Sequence, residues 1–211
     1  VPGRDAKWKE TTIANTSERQ FTQEFECEFL GSVDTLITAS KLRTLTYDDP
    51  ITTNGSLDVY ENPIRDHDYI ICVDVSRGLA QDYSAFVVID ITRAPWQLVA
   101  KYRDKDVRPM ILPNIIYNVA TNYNNAYVLT EVNDIGEAVA GSLFYDVEYE
   151  NVLMCAMKGR AGQQVGQGFS GNKVQMGVKM SATVKAQGCS NLKTLIEDDK
   201  LLVKDYNIVS E

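Results

Sequence analysis

The stretch that most constrains this chain is YIICVDVSRG, residues 69–78. Tyr69, Ile70, Ile71, Cys72 and Val73 form an apolar, β-prone run that continues through one acid, Asp74, to Val75 and stops at Ser76, Arg77 and Gly78. A short apolar run closed by turn residues reads as a central strand covered on both faces. An ionised, unpaired carboxylate there costs several kcal/mol, against a whole-domain stability of about 5–15 kcal/mol. Asp74 therefore needs a compensating charge, and a bound cation is the usual compensator. A second run, AYVLTEVND over 126–134, repeats the pattern: apolar residues, then Glu131, then a helix start at Asn133 and Asp134. Two acids ending two buried strands make half of a metal site.

Around these runs the order of elements is legible. Residues 1–43 are polar at first, then carry Phe21, Phe25, Phe29 and Leu30 as one helical stripe. Asn54-Gly55 between β-prone flanks predicts a hairpin over about 47–60. Residues 1–68 are thus expected to be a lead-in with a hairpin, packed on a core formed by 69–211. In the core, strands are expected at Tyr69–Val75, Ser84–Ile91 and Gln97–Arg103, antiparallel because their connections are short. Leu112, Ile115, Ile116, Val119, Ala120 and Tyr123 recur with helical period, and Pro113 suits a first turn. The strand at Ala126–Thr130 follows that crossover helix and so lies parallel to the first. A second helix is expected from Asp134, as N-cap, with Glu137 completing a capping box, then a short fifth strand at Val152–Met157. A glycine-rich loop follows, then helices at Lys173–Gln187 and Asn191–Asp199 and an edge strand at Leu201–Val203. Three antiparallel strands followed by helix, strand, helix, strand is the order of the ribonuclease H-like α/β fold: a mixed five-stranded sheet flanked by helices, here with an auxiliary hairpin. In that topology the fourth strand pairs with the first, which brings Asp74 and Glu131 together.

The chain has a net charge of −8, yet between Glu150 and Glu197 it carries no acid. Lys158, Arg160, Lys173, Lys179, Lys185 and Lys193 fall in that interval and leave the remainder strongly acidic. Such asymmetry points to nucleic-acid contact, with a solvated lysine-bearing loop as the simpler alternative. The four cysteines are widely spaced and the only histidine is His67, so no zinc-finger spacing exists and the thiols are expected to be reduced. No apolar run approaches the ~18 residues of a membrane span, and no signal-peptide pattern opens the chain.

Asp74 and Glu131 are hard oxygen donors suited to Mg²⁺ or Mn²⁺, and two such ions can clamp the attacking and leaving oxygens of a phosphodiester. Asp82, in the loop after the first strand, and Asn133 are candidates to support them. Asp90 is expected to face water and His67 to be solvated. GQGFSG at 166–171 matches G-x-G-x-x-G, but it neither follows a strand directly nor precedes an acid at the spacing a dinucleotide site needs. There is also no P-loop.

With these residues in view, the sequence resembles the nuclease domain of tailed-bacteriophage large terminase subunits, the T4-like group in particular. The resemblance is carried by TSERQFTQEFECEFLGSVDTLI (16–37), YIICVDVSRGLAQDYSAFVVIDI (69–91), YVLTEVNDIG (127–136) and LKTLIEDDKLLVKDYNIVSE (192–211). It implies a metal-dependent endonuclease that cleaves concatemeric double-stranded viral DNA during genome packaging. It also implies two Mg²⁺ or Mn²⁺ ions, an upstream ATPase domain in the same polypeptide, and the portal protein and small terminase subunit as partners. The setting would be the cytoplasm of an infected bacterium, transiently at the procapsid portal, with no membrane involved. Asp74 and Glu131 match the family's first two catalytic acids. The third, an aspartate at the start of a later helix, has no match and is expected beyond Glu211, which implies weak cutting by residues 1–211 alone. A start at Val1, and a last helix that Asp205 or Asn207 would cap but nothing stops, fit a piece of a longer protein. The readings that compete are a non-catalytic DNA-binding or docking module of the same fold, and an actin- or sugar-kinase-like phosphotransferase.

Overall fold

The computed structural model describes residues 36–78, 82–157, 163–165 and 174–210. The chain divides into two units, Val1–Leu45 and Thr46–Glu211. In the first, the described part holds a single-turn helix α1 (Ala39–Leu42), capped by the Thr38 hydroxyl, which accepts the Lys41 amide. The stripe Phe21 to Leu30 and Cys27 lie outside the described residues.

The second unit is built on one mixed sheet. Its strands are β1 (Thr52–Asn54), β2 (Leu57–Val59), β3 (Tyr69–Asp74), β4 (Ser84–Asp90), β5 (Trp96–Asp104) and β6 (Tyr127–Thr130), in the spatial order β1-β2-β5-β4-β3-β6. The β3–β4, β4–β5 and β2–β5 pairs are antiparallel and β3–β6 is parallel. Helix α2 (Leu112–Asn122) makes the crossover to β6, and α3 (Gly136–Gly141), extended by a π-type turn over Ser142–Asp146, follows it. After these come β7 (Met154–Met157), β8 (Gln163–Val165), β9 (Val174–Met176), α4 (Ala182–Glu197), β10 (Leu201–Leu202) and α5 (Tyr206–Ser210). β10 adds to the end of β5, Leu201 opposite Trp96. Strand order, crossover and flanking helices are those of the ribonuclease H-like fold expected from the sequence.

The two faces of the sheet differ, and that difference makes the site. On one face Tyr69, Ile71 and Val73 of β3 are buried with Phe86 and Val88 of β4 and Val128 of β6. They pack under Leu112, Ile116, Val119 and Ala120 of α2 together with Val139 and Leu143. Fully burying one such aliphatic side chain is worth about 1.5–3 kcal/mol, so this layer carries the fold. On the other face Ile70 and Cys72 are half-buried and Asp74 is exposed. The continuous apolar run is therefore not a strand sealed on both sides, as its composition suggested. Period-2 alternation places Asp74 where water and ions can reach it.

Several local readings change. The hairpin forms, but Asn54 pairs with Leu57, so its loop is Gly55-Ser56. Gly55, at φ +60°, takes the first central position that a type II′ turn reserves for glycine. The hairpin is an integral edge of the main sheet through β2–β5, and with β10 on β5 that sheet counts seven strands, not the five expected. The expected fifth strand touches the main sheet only by the bridge Val128–Val152, and β7 instead centres a separate three-stranded sheet, β8-β7-β9. Val174–Met176, assigned to a helix from sequence, is a strand because β7 offers it a partner. The two expected C-terminal helices are one, α4, opened by the Ser181 hydroxyl accepting the Val184 amide. Gly188 sits inside it without ending it, a cost of about 1 kcal/mol relative to alanine. His67 is not solvated: its Nδ1 lies 2.6 Å from Asp90 Oδ2, and both side chains are largely buried. Asp205 Oδ1 accepts the Ile208 amide at 2.7 Å, the cap expected for the last helix.

Candidate functional site

Val73 of β3 pairs with Thr130 of β6, and the Glu131 amide donates to the Val73 carbonyl at 2.9 Å. Asp74 and Glu131 are thus consecutive along neighbouring parallel strands and emerge on the open face. Although Asp74 is open to solvent, partial desolvation of its carboxyl raises it above the ordinary range, the Asp82 charge adds to this, and the Val75 amide opposes it. Glu131 is raised first by burial, then by the charge of Asp74, with Lys185 opposing. A carboxylate whose ionisation is hindered by a second one beside it marks a place short of positive charge.

The backbone holds this pair tightly. Ser76, just past Asp74, is buried and donates its amide to Ser84 Oγ at 3.0 Å, which ties the loop after β3 to the start of β4. At Glu131 two glycines permit close approach. A Cβ on Gly136 would lie 1.9 Å from the Glu131 carbonyl oxygen, and one on Gly177, at φ +107°, would lie 2.2 Å from the Thr130 carbonyl oxygen. Gly177 lets the chain bond β6 on both sides of Glu131: Val178 donates to the Thr130 carbonyl at 2.8 Å, and Val132 to the Val178 carbonyl at 2.9 Å. Gly136→Ala should therefore destabilise the protein although it adds a good helix former. An overpacking cost of about 1–3 kcal/mol lowers the melting temperature by roughly 2–12 °C. Gly188→Ala, with open space around its Cβ, should raise it by about 2–4 °C. Thermal melts check the pair, and shifts of the same sign would refute the close-packing account.

The acids open into a cleft of about 400 Å³ whose walls include Cys72, Leu129, Met180 and Ile208. Burial pushes the Cys72 thiol up to about 11, so it stays protonated at neutral pH. Asn133 holds the wall: its side-chain amide donates to the Met180 carbonyl at 2.9 Å and its oxygen accepts the Met180 amide at 2.8 Å. Asp82 is exposed, acts on Asp74 through its charge, and accepts the Tyr83 amide at 2.8 Å. Asp134 does not cap α3. It has φ +54°, Ile135 occupies the cap position without a side-chain bond, and the Asp134 carboxylate takes Arg77 by two hydrogen bonds of 2.6 and 2.9 Å. That exposed fork joins the loops after β3 and β6, and nothing in the sequence signalled it.

Of the basic residues singled out, Lys185 is exposed on α4 and near enough to Glu131 to oppose its shift. Lys179 is held through its backbone, its amide donating to Gln163 Oε1 at 2.9 Å. Lys158, Arg160, Lys173 and the 166–171 glycine motif lie outside the described residues. Among the described residues no group of three or more His, Cys, Asp or Glu side chains forms a metal-binding cluster. The donors present are two hard carboxylates at a cleft wall, and they fit a cation such as Mg²⁺ that keeps several of its waters. Among the described residues no helix is long and apolar enough to cross a membrane.

Residues 71–210 match the family model described as the terminase RNase H-like domain. Among solved structures, the chain resembles the large terminase nuclease of thermophilic phage G20c with bound magnesium, at 22% identity over 84% of this chain and 78% of that one, TM-score 0.61. It resembles the same nuclease with bound zinc at 24% identity over 82% and 84% of the two chains, TM-score 0.59. The large terminase nuclease domain of Thermus phage P74-26 shares 25% identity over 82% of this chain and 74% of that one, TM-score 0.58.

Proposed function

The chain belongs to the terminase RNase H-like domain family, and from that premise we propose that it is the nuclease of a phage DNA-packaging machine, a divalent-metal-dependent endonuclease that cuts concatemeric double-stranded DNA. The observation that carries this reading is the pairing of Asp74 and Glu131 at adjacent strand ends, both carboxyls raised above their ordinary range, at the wall of an open cleft. The similar G20c nuclease binds magnesium and zinc in its crystals, which supports a divalent cation here.

In this reading Asp74 and Glu131 hold Mg²⁺ or Mn²⁺, two ions in the full site. Bound there, the metal would supply charge stabilisation at the phosphate and a water acidified towards neutral pH. The chain's own contribution is to fix the two carboxylates: Gly136 and Gly177 let β6 be gripped from both sides, and the Ser76–Ser84 bond steadies the turn beyond Asp74. Asp82 and Asn133 support them, one by charge and one by bracing the wall. Lys185 and Lys179, with Lys158, Arg160 and Lys173, supply sequence-independent phosphate contacts. The ATPase motor would be an upstream domain of the same polypeptide, with the portal and the small terminase subunit as partners, in the cytoplasm of an infected bacterium at the procapsid portal.

Incubating the protein with supercoiled plasmid tests the reading. Nicked and linear products should form with Mg²⁺ or Mn²⁺ and disappear with a chelator. Protein that binds the plasmid but leaves it intact with every divalent ion tried would overturn the nuclease reading in favour of a docking module.

A further inference from the structure

Each acid of the site is followed, three residues on, by one half of an ion pair: Arg77 after Asp74, and Asp134 after Glu131. Three residues of chain span at most about 11 Å, so the pair stands close beyond the ends of β3 and β6. Both partners have rigid mounts. Arg77 lies between buried Ser76 and Gly78, where at φ +65° a Cβ would come 2.6 Å from the Val107 carbonyl oxygen. Asp134 follows Asn133, whose side chain bonds the Met180 backbone twice, and it precedes Gly136, packed on the Glu131 carbonyl. Yet the two side chains are 67% and 57% exposed. What Arg77 grips is informative. A guanidinium takes a carboxylate and a phosphate by the same two-donor fork. Asp134 reaches that fork from φ +54°, a region L-residues seldom visit, and forgoes the helix cap to do so. The pair is not needed as a strap, since the bond from the Glu131 amide to the Val73 carbonyl already fixes the two strand ends. An exposed ion pair is held weakly and is screened by salt, so a phosphate can take the place of its carboxylate.

We propose that Arg77 is a phosphate-positioning residue of this site and that Asp134 parks it: the carboxylate holds the place of a DNA phosphate until a bound strand displaces it. The inference rests on the nuclease reading and adds to it a contact, a nucleotide or two from the scissile phosphate, together with the group that competes for it. The exchange needs no movement of the backbone, only a swing of two exposed side chains.

The test measures binding of a fluorescent duplex of about 20 base pairs in calcium buffer over a salt series, for the wild type, Arg77→Gln, Asp134→Asn and the double variant. Both side chains are exposed, so none of these substitutions should cost the fold. Loss of one phosphate contact should flatten the log–log salt slope by roughly 0.9 in Arg77→Gln. Asp134→Asn should bind about two- to sixfold more tightly, because it releases the fraction of arginine that an exposed pair holds back. That gain should vanish in the Arg77→Gln background. A strap between the loops predicts weaker binding for Asp134→Asn, alongside Arg77→Gln. Loss of a nearby negative charge alone predicts the same gain in both backgrounds. Either of those results, or a wild-type slope in Arg77→Gln, would overturn the proposal. Plasmid cutting in Mn²⁺ is followed in parallel. A wild type that shows the Arg77-dependent gain but never cuts sinks the nuclease reading and leaves the exchange standing. A wild type that cuts, with the same gain in both backgrounds, sinks the exchange alone.

Discussion

Asp74→Asn and Glu131→Gln should each reduce metal-dependent cutting by roughly a thousandfold or more. That loss corresponds to about 4 kcal/mol of transition-state stabilisation, within the range a catalytic metal supplies. Neither variant should lose the fold. Asp74 is exposed and its neighbours in β3 are held by the layer under α2, which neither substitution touches. Both carboxyls ionise above their ordinary range. A raised folded-state pKa means the folded protein binds the extra proton, so this destabilisation appears as pH rises through the folded value and persists at neutral pH. Removing either charge relieves it, and in chelator the variants should melt no lower than the wild type. Plasmid nicking and thermal melts with and without Mn²⁺ check both halves. Either variant cutting at the wild-type rate would remove its residue from the site.

Asp205→Ala should cause the largest loss of stability among the substitutions considered. Asp205 is 3% exposed and accepts hydrogen bonds from Lys101 Nζ, the Tyr60 hydroxyl and the Ile208 amide. Among the described residues the buried Lys101 ammonium would then keep only Asp58, 3.4 Å away, and the Tyr60 hydroxyl would lose the Asp205 carboxylate. Breaking a buried pair from one side costs about 3–5 kcal/mol, so a drop of roughly 6–20 °C in melting temperature is expected. Lys204→Ala, which removes partly exposed pairs with Glu61 at 2.6 Å and Asp48 at 3.6 Å, should cost about 1 kcal/mol. Burial alone would raise the Asp205 carboxyl, but its bonds from Lys101, Tyr60 and Ile208 outweigh this and hold it below the ordinary range. Its stabilisation is therefore complete above the unfolded value near 3.9 and fades as pH falls through the folded one. The gap between wild type and Asp205→Ala should stay constant from about pH 5 upward and close only in stronger acid. Equal melting temperatures at neutral pH would show that the network carries no net stability. Because Asn207 and Ile208 line the cleft just beyond this anchor, the same variant should also loosen the wall facing the two acids.

Much of the sheet and the heart of the site could be read from the chain because both depend on short-range pattern. Apolar β-prone runs closed by turn residues set β3, β4 and β5, and period-3.6 recurrence set α2, to within a residue or two. The rule that a helix crossover returns a parallel strand put β6 beside β3 and so joined Asp74 to Glu131.

What the sequence determined by itself is the ribonuclease H-like order of elements and the two strand-end acids, since apolar period, turn chemistry and crossover geometry act over a few residues. Tertiary structure alone decided the rest. The Val174–Met176 segment became a strand because β7 satisfies its backbone groups, overriding a weak local preference for helix. Asp134 left its expected cap position for Arg77, 57 residues away, and Asp205 found Lys101 at a separation of 104. Gly136 and Gly177 matter because a carbonyl from another element occupies the space a Cβ would need. Pairings and close approaches of this kind have no local pattern, because the partner that stabilises each one is set only once the sheet has closed around it.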